Sequence, residues 1–193
     1  MIANPNDFLE ACDIIDFRNP AVARLSEELS GADELATAKR CFEFVRDKIR
    51  HSSDFKLNPV TCVASDVLLH RTGYCYAKSH LLCALLRANR IPAGMCYQRL
   101  TISGDSPPHC LHGLNAVFLR DFGWYRMDAR GNRSDISAEF CPPQEQLAFG
   151  TNYPGESDLS GIYVKPLPIV VDCLNEHGTW DQVFDNLPDA PVA

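Results

Sequence analysis

The chain has 193 residues, of which 46% are hydrophobic and 22% charged, a composition typical of a single globular domain with one core. Its 18 basic and 25 acidic side chains give a formal net charge of −7, which disfavours binding to nucleic acids. The longest aliphatic run, 81–86, is far shorter than the ~20 residues of a membrane span. The first sixteen residues carry four acids and no lysine or arginine, unlike a secretory signal. We therefore expect no nucleic-acid partner and no membrane partner.

Nine cysteines are present, an odd number with no C-x-x-C pair. This pattern differs from a disulfide scaffold and favours reduced thiols in the cytoplasm. Buried packing is the default role of a free cysteine, so any functional role needs a further argument.

Four helices are predicted in the first half of the chain, over about 20–29, 33–50, 65–70 and 75–89. Asn19-Pro20 is typical of a helix start, and Ser65 is expected to cap the third helix. Apolar residues at intervals of three and four mark the second helix. The polar segment 51–63 is expected to be a loop.

The hydrophobic period then changes from helix to strand. Strands are predicted over 96–102, 114–119 and 124–128, with a turn at 121–123. Helices followed by an antiparallel sheet predict an α+β fold. Later in the chain, short helices are expected to begin at Pro168 and at Thr179, the second with Gln182 in a capping box.

Cys75 is the strongest candidate nucleophile. It follows a break at Gly73 and begins the long fourth helix, whose free N–H groups and dipole favour a thiolate. His112 precedes one predicted strand, and Asp128 ends the next. A hairpin centred on position 122 places His112 opposite about position 132, some four positions from Asp128. The register permits their contact without establishing it.

These residue types suggest a division of labour. Cys75 attacks a carbonyl, His112 transfers the proton, and Asp128 fixes the tautomer of His112. The Cys75 N–H is the natural oxyanion donor, whereas the sequence identifies no side-chain donor.

Simpler roles remain open for each of these residues. Cys75 could be a packing thiol, as Cys83 is expected to be. His109 competes with His112 as the base, although it lies in the predicted loop 103–111. His109, Cys110 and His112 lack the ligand spacing of structural zinc sites, so we expect no metal.

Several sequence runs resemble the transglutaminase-like superfamily. They are Gly73-Tyr74-Cys75 before a Leu-rich helix, Ile91-Pro92-Ala93, His112-Gly113, and Gly123-Trp124-Tyr125-Arg126-Met127-Asp128. The resemblance implies a papain-like α+β fold and acyl transfer through a thioester, with Cys75, His112 and Asp128 as the catalytic triad and no cofactor. We expect one domain over 1–193, with a recognisable core at about 35–132 and a C-terminal extension at 141–193.

The leading prediction is a cytoplasmic cysteine-dependent hydrolase or acyltransferase, such as a cysteine protease. Its substrate would be a peptide, a protein or a small amide. The alternative is a non-catalytic domain of the same fold that binds a protein or peptide partner. Loops at 103–111 and 142–161 are expected to form the cleft walls. The sequence decides neither the acyl acceptor nor the oligomeric state.

Overall fold

The computed structural model describes residues 4–190, and the first half of this region is mainly helical. After a 3-10 helix at Pro5–Leu9, the elements are α1 (Pro20–Glu28), α2 (Glu34–Lys48), β1 (Arg50–His51), α3 (Ser52–Phe55), α4 (Ala64–His70), β2 (Thr72–Gly73) and α5 (Cys75–Ala88). The short strands β1 and β2 pair in parallel, with His51 opposite Gly73. No helix within residues 4–190 combines the length and apolar character needed to cross a membrane.

An antiparallel sheet occupies the second half. The elements there are β3 (Ala93–Thr101), β4 (His109–Leu119), β5 (Gly123–Met127), β6 (Glu139–Cys141), β7 (Gln144–Gln146), β8 (Ser157–Asp158), α6 (Pro168–Glu176) and α7 (Trp180–Asp185). Four strands form the main sheet in the order β5-β4-β3-β8, and β6 pairs with β7 separately. The predicted α+β fold is confirmed.

Local sequence explains most of the helix boundaries. The Asn19 side chain accepts a hydrogen bond from the Ala21 N–H, and the Asp33 carboxylate accepts one from the Ala36 N–H. These bonds satisfy N–H groups that have no partner within the first helical turn. The predicted helices over 20–29, 33–50 and 75–89 are confirmed to within two residues at each end.

Two predictions for the segment before α5 are wrong. The segment 51–63 is not all loop, because it contains the end of β1 and the single turn of α3. Ser65 is not a helix cap: Val63 is the N-cap of α4 and forms no side-chain bond. The Ser65 N–H instead donates to the Asp16 carboxylate, so a distant acid satisfies the start of α4.

Two strand starts and one helix cap differ from the prediction in the second half. Strand β3 begins at Ala93, three residues before the predicted start at position 96. Strand β4 begins at His109, because it pairs with β3 as far as Thr101 opposite His109, and this shortens the predicted loop 103–111. Helix α7 starts after Thr179 as expected, but Thr179 makes no capping bond, and the Gln182 side chain accepts from the Gly178 N–H instead.

The core lies between α5 and the main sheet. Its centre is the run of Leu81, Leu82, Leu85 and Leu86, all fully buried. An all-round apolar helix requires packing on every side, and α1, α2, α4, β3 and β4 supply it. The central helix is thereby fixed, including its first residue, Cys75.

Arg87 joins three parts of the chain at the far end of α5. Its buried guanidinium donates to the carbonyl oxygens of Ala93, Glu10 and Val164 at 2.6–2.9 Å. Glu10 lies in the N-terminal segment and Val164 in the C-terminal one, so both ends of the chain are attached to the core helix by one side chain.

We expect Arg87→Met to lower the free energy of unfolding by about 3 kcal/mol, because it leaves buried carbonyl oxygens without donors. Urea denaturation would measure the change. The matched control is Arg24→Met on α1, where the side chain is exposed and the effect should stay below about 0.5 kcal/mol. Equal effects of the two substitutions would contradict this role for Arg87.

Candidate active site

Cys75 begins α5 at the floor of a cleft. Its side chain is 7% exposed, and its Sγ accepts a hydrogen bond from the Gly113 N–H at 3.4 Å. Gly113 allows this approach of β4 to the helix, because a Cβ there would lie 2.9 Å from the Tyr76 ring and 3.1 Å from the Tyr76 Cα. An N–H donor and a helix N-terminus both stabilise negative charge on sulfur.

His112 and Asp128 form a buried pair beside Cys75. The His112 Nε2 and the Asp128 Oδ2 are 2.7 Å apart. The strand pairs, such as Asn115 with Met127, centre the hairpin on position 121, one residue before the predicted centre. Asp128 directly follows β5, and this register makes it the diagonal neighbour of His112, close enough for contact.

Asp128 has no exposed surface, so its charge depends on hydrogen bonds. The Arg130 N–H donates to Oδ1 at 3.0 Å, and the Ala148 N–H donates to Oδ2 at 3.2 Å. Burial alone would raise the pKa of Asp128, but His112 and these two N–H groups lower it overall. The carboxylate is therefore ionised at neutral pH.

The same pair controls the charge of His112. Burial opposes the imidazolium, but the negative charge of Asp128, together with the neighbouring Cys75, raises the pKa of His112 from 6.5 to about 10. Its Nε2 is engaged by Asp128, which leaves Nδ1 as the ring nitrogen available to Cys75. A folded pKa above 6.5 means that the pair stabilises the fold fully below pH 6.5 and loses this effect as the pH rises through about 10.

Cys75 and His112 line a cleft of about 640 Å³, and Asp128 lies buried behind His112. One wall comes from residues 100–104 and the other from residues 148–156, near the expected loops. Phe149 in the second wall meets the His112 ring edge-on, with centroids 5.0 Å apart. The cleft therefore reaches Cys75 and His112, and Phe149 packs against the His112 ring.

His51 is a site residue that the sequence analysis missed. Its Nε2 accepts the Cys75 N–H at 3.2 Å, so the expected oxyanion donor already has a partner in this structure. The contact arises because β1 lies beside β2, two residues before Cys75. Strands of only two residues are too short to show an alternation of apolar and polar residues. The sequence therefore carries no signal for the pairing of β1 with β2.

Asp54 and Arg130 hold this side of the cleft together. The Arg130 guanidinium donates to both Asp54 carboxylate oxygens, at 2.6 and 2.8 Å. Asp54 lies on α3, directly after His51, whereas Arg130 follows Asp128. The ion pair therefore connects the His51 segment to the Asp128 segment.

The competing candidates lie elsewhere. His109 is absent from the cleft lining, and its Nε2 lies 3.3 Å from the Pro154 carbonyl oxygen. Cys83 is fully buried in α5, and its thiol donates to the Ala93 carbonyl oxygen. Within residues 4–190, no three His, Cys, Asp or Glu side chains are grouped closely enough to hold a metal ion.

We expect Gly113→Ala to separate β4 from α5 and weaken the N–H bond to the Cys75 Sγ. Unfolding free energy should fall by about 1–3 kcal/mol, as for other overpacked sites, and thiol labelling of Cys75 should slow. Gly178→Ala is the control, because a Cβ there meets only the Gln182 side chain at 3.7 Å. Unchanged stability and labelling in Gly113→Ala would show that the strand does not need this glycine.

We expect Asp128→Asn to lower the pKa of His112 well below 10, because the variant loses the negative charge but keeps the side-chain shape. NMR titration of the His112 ring would measure this. Cys75→Ala should lower the same pKa by less, since Asp128 has the stronger effect. A larger fall in Cys75→Ala would contradict this order.

Comparisons with known proteins identify the family of the chain. The profile of the transglutaminase-like superfamily matches residues 23–129. A structure named "Putative Cysteine Protease" from Cytophaga hutchinsonii is similar, at 18% identity and a TM-score of 0.52, over 67% of this chain but only 43% of that one. The periplasmic domain of TgpA from Pseudomonas aeruginosa has 18% identity and a TM-score of 0.48, over 66% of this chain and 48% of that one. No curated protein sequence matches the chain. The chain belongs to the transglutaminase-like superfamily.

Proposed function

We propose that the protein is a cysteine-dependent enzyme that hydrolyses or transfers an acyl group from an amide or peptide carbonyl. The observation that carries this proposal is the convergence of three groups. The Cys75 thiol at a helix N-terminus and the His112 imidazole both line the cleft, and the buried Asp128 carboxylate contacts His112 from behind. A nucleophile next to an oriented base is the arrangement that covalent catalysis requires.

The residues act in sequence. The Cys75 thiolate attacks the carbonyl carbon, forming a C–S bond and moving an electron pair onto oxygen. When the carbonyl re-forms, the bond to the leaving group breaks, and that group takes a proton from the His112 imidazolium. Water or an amine then loses a proton to His112 and attacks the thioester, which releases Cys75. Asp128 stabilises the imidazolium throughout.

The cleft supports a peptide or small amide as substrate. Its volume of about 640 Å³ lies within the usual range of small-molecule sites. Tyr74, Tyr76, Phe149 and Tyr153 supply apolar surface, while Asp135 and Glu156 add acidic groups. The Cytophaga hutchinsonii protein of similar fold also bears the name of a cysteine protease.

All nine cysteines are free, which supports a reducing compartment such as the cytoplasm.

We expect Cys75 to react with iodoacetamide far faster than the other eight thiols, because it begins a helix and lies beside the His112 imidazole. Peptide mass spectrometry would measure labelling at each cysteine. The advantage should disappear in His112→Ala and persist in His109→Ala, whose side chain lies outside the cleft. Slow labelling of Cys75 would remove the basis for an enzyme and favour a non-catalytic binding domain.

Turnover is tested with a panel of p-nitrophenyl esters and peptide amides, with and without an added amine. Cys75→Ala should leave less than about one thousandth of the wild-type rate, because the covalent route is lost. The control is Cys141→Ala, which removes an exposed thiol and should keep full activity. Stimulation by the amine would indicate transfer, and an unchanged rate would indicate hydrolysis.

A further inference from the structure

We propose that His51 is the side-chain donor of the oxyanion hole, acting beside the backbone N–H of Cys75. The proposal rests on the proposed function, since an oxyanion forms only if Cys75 attacks a carbonyl. It assigns a catalytic role to a residue that the sequence analysis left without one.

The position of His51 carries the argument. Its Nε2 lies 3.2 Å from the Cys75 nitrogen, and the side chain lines the cleft although it is only 6% exposed. An oxyanion is bound at about 2.7–3.1 Å from each of its donors. Two nitrogens 3.2 Å apart are close enough to share one oxygen when that oxygen replaces Nε2 as the acceptor of the Cys75 N–H.

The second ring nitrogen allows the change that this role requires. In the structure Nε2 is an acceptor for the Cys75 N–H, so the ring proton is on Nδ1, which lies 3.2 Å from the Ser53 Oγ. A hydroxyl can accept or donate a hydrogen bond, so Ser53 satisfies Nδ1 in either tautomer. When a substrate oxygen takes the Cys75 N–H, the ring proton moves through cleft water from Nδ1 to Nε2. The ring then donates from Nε2, with no change in its net charge.

The surroundings keep His51 neutral. Burial and the positive charges of Arg130 and Lys78 lower the pKa of His51 well below 6.5. A neutral imidazole can change tautomer, and it does not compete with His112 for the proton of Cys75. His51 is also held in place: the Tyr74 ring meets it edge-on, and the Asp54 carboxylate lies 3.9 Å from Nδ1, where Arg130 pairs with its charge.

Two reactions of the same thiol separate an oxyanion donor from a packing residue. Iodoacetamide forms a C–S bond at Cys75 by displacing iodide, and no oxyanion arises. A p-nitrophenyl ester forms the thioester through an oxyanion. His51→Met and His51→Gln have similar size, but only glutamine retains an N–H donor. The ester is the one that the wild-type protein turns over fastest.

We expect His51→Met to lower kcat for the ester by about 10²–10³-fold, the usual effect of removing one oxyanion donor. The rate of Cys75 alkylation should stay within about threefold of wild type, and His51→Gln should recover at least about tenfold of the lost kcat. If circular dichroism shows that His51→Met does not fold, His51→Phe serves as the variant without a donor.

Three results would overturn this role for His51 alone. They are an unchanged kcat in the donor-free variant that folds, equal losses of alkylation and ester turnover, and the same kcat in the glutamine variant as in the donor-free one. Slow alkylation of Cys75 in the wild-type protein is a different failure, because it overturns the proposed function itself.

Discussion

The site depends on the close approach of one strand to the first turn of one helix. Strand β4 crosses the N-terminus of α5 at Gly113, where any side chain would collide with Tyr76. Because the backbone comes this near, the Gly113 N–H reaches the Cys75 Sγ, and the preceding residue, His112, is brought to the same sulfur. Here β4 is paired with β3, with Gly113 opposite Tyr97, and its later residues 115–119 are also paired with β5, so the sheet holds the strand in place.

The buried charge of Asp128 requires hydrogen-bond donors around it. Asp128 is fully enclosed, and a carboxylate in such a place must be paired and hydrogen-bonded. His112 supplies the charge, and the N–H groups of Arg130 and Ala148 supply the remaining donors. Ala148 follows the region matched by the superfamily profile, and Phe149 beside it packs on His112. The C-terminal part of the chain therefore completes the site rather than only covering it.

Strong local signals made part of this arrangement predictable. The break at Gly73 and the apolar run after it place Cys75 at a helix start, and the change of period gives the order of helices and sheet. The contact of His112 with Asp128 depends on strand register. The predicted hairpin centre lies one residue too late in the chain, so it places Asp128 four positions, rather than two, from the residue opposite His112. His51 was hidden because its contact follows from the packing of β1 against β2, which tertiary structure alone creates. Ser65 shows the same limit, since a remote aspartate replaces its expected cap.

Neighbouring groups shift the pKa values of two buried histidines near Cys75 in opposite directions. Asp128 raises the pKa of His112, whereas burial and the charges of Arg130 and Lys78 lower that of His51. Neighbouring groups with separated pKa values are suited to different tasks: a charged ring can donate a proton, and a neutral ring can donate or accept a hydrogen bond. Arg130 takes part in both effects: its N–H supports Asp128, while its guanidinium disfavours a charged His51. The segment directly after β5 thus sets the charge on each side of the thiol, and a change at Arg130 would disturb both histidines at once.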